Sequence, residues 1–122
     1  MAEYKQYITQ IQENGNVMVS EDVIATIVAH ALAEVDGISS LGTKPGITVA
    51  DFGTKKQWSK SLKILIEEDN SLTIDCNVMI AYGHSVVDVA GAAQQTVSGN
   101  VESMTGVKVN EVNINVCGIV RA

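Results

Sequence analysis

The two histidines and two cysteines of this sequence, His30, His84, Cys76 and Cys117, are the first candidates for proton transfer or metal binding. His84 stands just ahead of a segment with helical spacing and four residues before Asp88, a placement in which a carboxylate can tune a general base. No plausible nucleophile for such a base to activate lies near His84 in the sequence. The pattern therefore favours a turn residue that precedes a helix cap, and His30 is interpreted as a boundary residue on another helix.

The same histidines and cysteines do not have the spacing of a zinc site, and the two cysteines are predicted on opposite faces of a sheet. Cys76 is interpreted as a small core residue and Cys117 as a residue of the outer face. The acidic turn at 67–69 lacks the glycine and Asp/Asn positions of a calcium loop, and no glycine-rich phosphate loop is present. We therefore expect no catalytic residue, no cofactor and no metal ion.

The composition indicates one globular domain spanning residues 1–122. The hydrophobic content of 46% is enough to form a core without disulfides or metal. With 8 Lys and Arg against 14 Asp and Glu, the formal net charge is -6, which argues against binding to nucleic acid or to anionic lipid. No apolar run reaches the roughly 20 residues that span a bilayer, and no secretion signal is evident. A cytoplasmic protein with reduced cysteines and no direct membrane insertion is expected.

The first third of the sequence predicts a hairpin followed by a helix. Alternating residues flank Asn14-Gly15, a strong hairpin signal, and Ser20 is the predicted N-cap of a helix over 21–36. The segment 38–59 then interrupts every regular pattern. It predicts a mobile loop, with a short strand at 47–52 as an alternative.

The remainder predicts a second hairpin, a helix and a strand. Residues 61–67 and 72–81 alternate as paired strands, with Leu62, Ile64, Ile66, Leu72, Ile74, Cys76, Val78 and Ile80 inward. Ser85 and Asp88 resemble a capping box at the start of the second helix. The apolar face of that helix is predicted to contain Val86, Val89, Ala90, Ala93, Val97, Val101 and Met104. The last strand alternates with Val112, Ile114 and Val116 on one side.

This order of elements, β(β)αββαβ, predicts the fold class α+β. We expect a two-layer sandwich in which two helices pack on one face of a mainly antiparallel sheet. The specific topology it suggests is the ferredoxin-like split βαβ arrangement.

One face of the predicted sheet is not covered by helices. It is predicted to be flat, mostly uncharged and rich in asparagine. Because it carries no aromatic residue, recognition of RNA by base stacking is not expected. Such a face suits contact with another protein or another copy of the chain. The residues predicted to make that contact are Asn113, Asn115, Cys117, Asn77, Met79 and Leu65.

Five short patterns occur in order along the chain: Gly15-x-Val17-x-Val19-Ser20, Glu34-Val35-x-Gly37-Ile38, Ala81-Tyr82-Gly83, Val86-x-x-Val89-Ala90 and Thr105-Gly106-Val107-x-Val109-x-x-Val112-Asn113-Ile114. As an ordered set they resemble the alkaline shock (envelope stress response) family of Gram-positive bacteria. The resemblance implies a small cytoplasmic protein without a known catalytic residue, linked to envelope stress. Some members of the family also self-associate and are attached to the membrane through a separate membrane protein, and the resemblance raises the same expectation here.

These observations are compatible with two functions. The first is a non-enzymatic stress-response protein that acts as a scaffold or interaction module through protein–protein contacts. The alternative is a small-molecule binding or enzymatic domain with a pocket between the 38–59 loop and the Tyr82–His84 turn.

Overall fold

The computed structural model describes residues 7–42 and 58–121 of the chain. These residues form six strands and two long helices, which are numbered here in chain order. The elements are β1 (Tyr7–Gln12), β2 (Gly15–Ser20), α1 (Glu21–Glu34), β3 (Ile38–Leu41), β4 (Leu62–Ile66), β5 (Leu72–Ala81), α2 (Val86–Thr105) and β6 (Val109–Val120).

The ten-residue strand β5 is the centre of the main sheet. Its first half pairs antiparallel with β4, from Leu72 opposite Ile66 to Cys76 opposite Leu62. Its second half pairs antiparallel with β3, so β3 and β4 follow one another along the same edge of β5. Strand β6 runs parallel along the other edge. Strands β1 and β2 form a separate two-stranded sheet.

The two helices form the second layer and begin where the sequence indicates. The Ser20 hydroxyl accepts a hydrogen bond from the Val23 amide, and the Ser85 hydroxyl accepts one from Asp88, each at 3.4 Å. Both serines therefore satisfy amides that the first helical turn leaves without partners. Helix α2 ends at Gly106, whose φ of 73° is the left-handed conformation that glycine adopts without strain.

The core lies between the helices and one face of the sheet. Every β4 and β5 residue predicted to point inward is buried: Leu62, Ile64, Ile66, Leu72, Ile74, Cys76, Val78 and Ile80. Helix α2 contributes Val89, Ala93, Val97 and Val101. Two residues assigned to the same apolar face are exposed instead, Val86 at 40% and Met104 at 70%. They lie in the first and last turns of the helix, so the prediction that they join the core was wrong.

The two-layer α+β arrangement is confirmed, but the split βαβ topology is not formed. A split unit needs a strand between β5 and β6, and these two strands are direct parallel neighbours. The strand expected in that place, β2, pairs only with β1. Its residues are largely exposed and only Val19 packs against the core, so it has too little apolar side for the interior of a sheet.

Within the described residues of the segment 38–59, one strand forms that the sequence did not predict. Residues Ile38–Leu41 form β3, and Gly42 donates a backbone hydrogen bond of 2.6 Å to the Asn77 carbonyl. At the other end, the indole of Trp58 is buried and donates to the Asp22 carboxylate at 2.6 Å. The alternative strand at 47–52 lies outside the described residues.

Candidate interaction surface

The open face is the side of the main sheet opposite the helices, and polar side chains from β5 and β6 form its centre. The parallel register sets Asp75 opposite Asn113 and Asn77 opposite Asn115. In each pair the β6 amide donates to its β5 neighbour, at 2.7 Å to Asp75 Oδ1 and at 3.2 Å to Asn77 Oδ1. The face is therefore a ladder of side chains bonded across the strands, with Asn113 and Asn115 exposed.

Apolar side chains lie beside this ladder. Leu65 on β4 is half-buried, while Met79 on β5 is only 8% exposed. The Met79 thioether lies against Gly118, where an added Cβ would stand 2.7 Å from Met79 Cε. Met79 thus offers little surface to a partner, and Leu65 offers more.

Cys117 occupies an irregular position on β6. The register with β5 shifts between Val78 and Met79, which pair with Val116 and Gly118. Cys117 is therefore the extra residue of a bulge, which takes it out of regular pairing and leaves it exposed. Its thiol donates to the Asn115 carbonyl at 3.6 Å.

The structure thus brings together Asn113, Asn115 and Asn77, three of the six predicted contact residues, as neighbours on β5 and β6. It puts Cys117 in the adjacent bulge, Met79 largely under Gly118, and Leu65 on β4. Whether any of the six contacts a partner stays a prediction.

Cys76 lies on the opposite side of the same strand. It is fully buried, and that burial, together with the negative charge of Asp75, raises the pKa of its thiol to about 12. A thiol held in the protonated form is a poor nucleophile and a poor metal ligand. Among the described residues no group of three or more His, Cys, Asp and Glu side chains is placed to hold a metal ion.

His84 is exposed in the turn between β5 and α2. The ring packs over the backbone of Gly37, where a Cβ added to the glycine would stand 2.9 Å from His84 Nδ1. Tyr82 lies in the same turn, and the guanidinium of Arg121, which follows β6, lies over its ring at 5.2 Å from the centroid. The loop expected to form the other wall of a pocket at this turn lies mostly outside the described residues.

A groove between α2 and β6 is a feature that the sequence analysis missed. It has a volume of about 410 Å³, and Gln94, Ser98, Glu111 and Asn113 are among the residues that line it. The Gln94 side chain donates to the Val112 carbonyl at 3.0 Å, which links the helix to the strand. The signal available in the sequence was the pair Gln94-Gln95 on the second helix. The pair indicates a groove only when it is known that β6 lies directly beside β5 and under this helix.

The chain is similar to proteins of Gram-positive bacteria over most of its length. The sequence profile of the alkaline shock protein 23 family, described as having a cell envelope-related function, matches residues 9–121. The uncharacterized protein Spy1535 of Streptococcus pyogenes serotype M6 is 36% identical over 106 residues, which cover 87% of this chain and 80% of that protein. The uncharacterized protein YqhY of Bacillus subtilis is 30% identical over 105 residues, which cover 86% and 77% respectively.

No solved structure matches the chain with comparable significance. Within the described residues, neither helix combines the length and apolar character needed to cross a membrane.

Proposed function

Because the chain belongs to the alkaline shock protein 23 family, whose function is related to the cell envelope, we propose that it is a non-enzymatic stress-response scaffold. It works in the cytoplasm by binding other proteins through the open face. Its partners include a membrane-anchoring protein, and it associates with further copies of itself. Membrane association then arises through the partner and not through insertion of this chain.

The observation that carries this proposal is the chemistry of the open face. Asn113 and Asn115 are exposed, yet their orientation is fixed by hydrogen bonds to Asp75 and Asn77. A side chain that is already oriented loses little conformational entropy when a partner binds, so a rigid amide ladder is well suited to recognition. An amide also keeps spare hydrogen-bonding capacity after one bond is made, which a partner can use.

The test is a double variant, Asn113→Arg with Asn115→Arg, which adds bulk and positive charge to the face without touching the core. The matched control is Asn14→Arg with Asn16→Arg, because both asparagines are also exposed but lie in the β1–β2 hairpin. The tagged proteins are expressed in a Gram-positive host, and cross-linked partners are identified from the membrane and soluble fractions. We expect the double variant to lose the partners that the unmodified chain and the control retain.

Retention of every partner by the double variant, with its fold intact, would contradict a role for the open face. A monomeric protein without any partner but with measurable turnover would contradict the whole proposal. The alternative, a binding or catalytic pocket at the Tyr82–His84 turn, predicts that His84→Ala abolishes such turnover without loss of fold.

A further inference from the structure

The outer edge of β6 is the longest unpaired strand edge in the described part of the chain. β6 has twelve residues, and among the described residues it pairs with β5 alone. Register shifts lie at both ends of its regular portion, near Asn110 and near Cys117. Between them, residues 111–116 pair with β5 without interruption over a length of about 20 Å.

This edge lies beside the groove formed with α2. A strand added to an open edge gains main-chain hydrogen bonds from the edge, and alternate side chains of the added strand enter whatever pocket lies beside it. The groove of about 410 Å³ is large enough for one or two such side chains. Edge and groove together therefore have both parts of a strand-addition site.

Glu111 is the one charged residue among those that line the groove. It pairs with Thr73 and alternates with the buried Val112, so its side chain lies on the open-face side of this edge. It is exposed, and no hydrogen bond or ion pair to its carboxylate is found among the described residues. The open-face side of the edge is thus complementary to a positively charged side chain of an added strand.

Gln94 already shows how this edge accepts a hydrogen-bond donor. Its Nε2 amide reaches from α2 to the Val112 carbonyl at 3.0 Å, so a side chain of the protein itself bonds the backbone of β6. An arriving peptide N–H can replace that bond by a similar one, which keeps the cost of opening the site low.

We infer that the groove between α2 and the outer edge of β6 binds an extended segment of a partner protein that carries Lys or Arg at alternate positions. The segment adds as a strand along residues 111–116. Its basic side chains lie on the open-face side next to Glu111, and the side chains between them enter the groove. The inference rests on the proposed function, because it names the chemistry of one partner of the scaffold.

The probes are three acetylated and amidated peptides titrated into the isotope-labelled protein and followed by NMR. The first alternates Val and Lys over seven residues, the second replaces each Lys by Glu, and the third is the Lys peptide with alternate amides N-methylated. We expect the Lys peptide to shift the resonances of residues 111–116 and of Gln94. The Glu peptide should bind about three- to tenfold more weakly because of charge, and N-methylation should weaken binding about tenfold or more.

Two substitutions with the same change in net charge locate the site. Glu111→Lys should weaken binding of the Lys peptide about three- to tenfold and strengthen binding of the Glu peptide. Glu13 is exposed in the β1–β2 turn, and Glu13→Lys should change the affinity for either peptide by less than about twofold. Retained folding of each variant is checked by the fluorescence of the single tryptophan, Trp58.

Equal binding of the Lys and Glu peptides, or shifts confined to Leu65, Asp75 and Asn77 on the neighbouring strands, would overturn the inference. So would a concentration-dependent dimer that pairs 111–116 with a second copy and excludes the peptides. If the Asn113→Arg and Asn115→Arg double variant still loses its cellular partners in that case, the proposed function survives and only the strand-addition site fails. If the peptides bind as expected but the cell contains no partner, the scaffold role fails and the site remains.

Discussion

The two faces of β5 differ sharply although their residues alternate along one strand. Toward the helices, Ile74, Cys76 and Val78 are completely buried in the core. Toward the open face, Asp75 and Asn77 accept hydrogen bonds from β6 side chains and stay partly accessible. The buried side chains are held in place by close packing from several sides. The open-face side chains are held only by hydrogen bonds to their neighbours on β6. We therefore expect the helix side of β5 to contribute more to stability than the open side.

The largest effect that separates the two faces is expected from truncation of neighbouring residues on β5. Ile74→Ala should lower the free energy of unfolding by about 2 to 5 kcal/mol, because it opens a cavity in the closed core. Thr73→Ala on the open side should cost less than about 1 kcal/mol, since the 3.4 Å bond from Thr73 to Glu67 is weak and accessible to water. Denaturant unfolding followed by Trp58 fluorescence measures both. Equal losses would show that the open face contributes as much stability as the core.

A smaller difference is expected between two glycines. At Gly37 a Cβ would stand 2.7 Å from Val89 Cγ2, and the φ of 98° is itself unfavourable for alanine. Gly37→Ala should therefore cost about 1 to 3 kcal/mol. At Gly118 the Cβ would meet only the flexible end of Met79, which can move aside, so Gly118→Ala should cost less than about 1 kcal/mol. A larger loss at Gly118 in thermal melts would mean that Met79 is locked and the open face is as tightly packed as the helix side.

The two thiols give the most specific chemical contrast. Iodoacetamide at pH 8 should modify Cys117 alone in the folded protein and both cysteines in denaturant, because Cys76 is buried and protonated. Mass spectrometry after digestion reads out the two sites. Cys117→Ser should abolish labelling of the folded chain, and rapid modification of Cys76 in that variant would show that the core opens.

The buried thiol of Cys76 also makes the stability of the fold depend on pH. Folding raises the pKa of Cys76 from 9.0 to about 12, so the unfolded state loses this proton first as the pH rises. The contribution of Cys76 to stability is therefore complete below pH 9 and is lost progressively between pH 9 and 12. Cys76→Val, which has no proton to lose, should show a shallower decline over that range in denaturant midpoints. An identical decline in both proteins would contradict this assignment.

Local patterns were enough to predict most of the inner face. Alternation in β4 and β5 identified the buried residues, and hydroxyl residues before apolar periodicity identified Ser20 and Ser85 as caps. These features depend on neighbours in sequence, and the physics of burial and capping acts at that range. The same alternation correctly separated Cys76 from Cys117.

Pairing between distant strands could not be predicted in the same way. No pattern in the sequence near β6 indicates that its neighbour is β5. A parallel pair also has no tight turn that would fix its register. The bulge at Cys117 and the groove beside Glu111 follow from that pairing. β3 was missed because its central residues, Ser39 and Ser40, have no apolar alternation, although Ser40 is buried. That Asn77, Asn113 and Asn115 share one face of the sheet was therefore predictable, but the edge of β6 and the groove beside it were not.

The parallel pairing of β6 also has a kinetic consequence. Ile66 and Leu72 in the β4–β5 hairpin are 6 positions apart, whereas Leu72 pairs with Val109, 37 positions away. Closing the longer loop costs more entropy, so we expect the hairpin to form first and β6 to join only after α2 has docked. A strand that joins late and is paired on one side is also among the first to open in the native state. Amide hydrogen exchange in β6 should thus be faster than in β4 and β5, and its slowing would report occupation of the outer edge before any partner is identified.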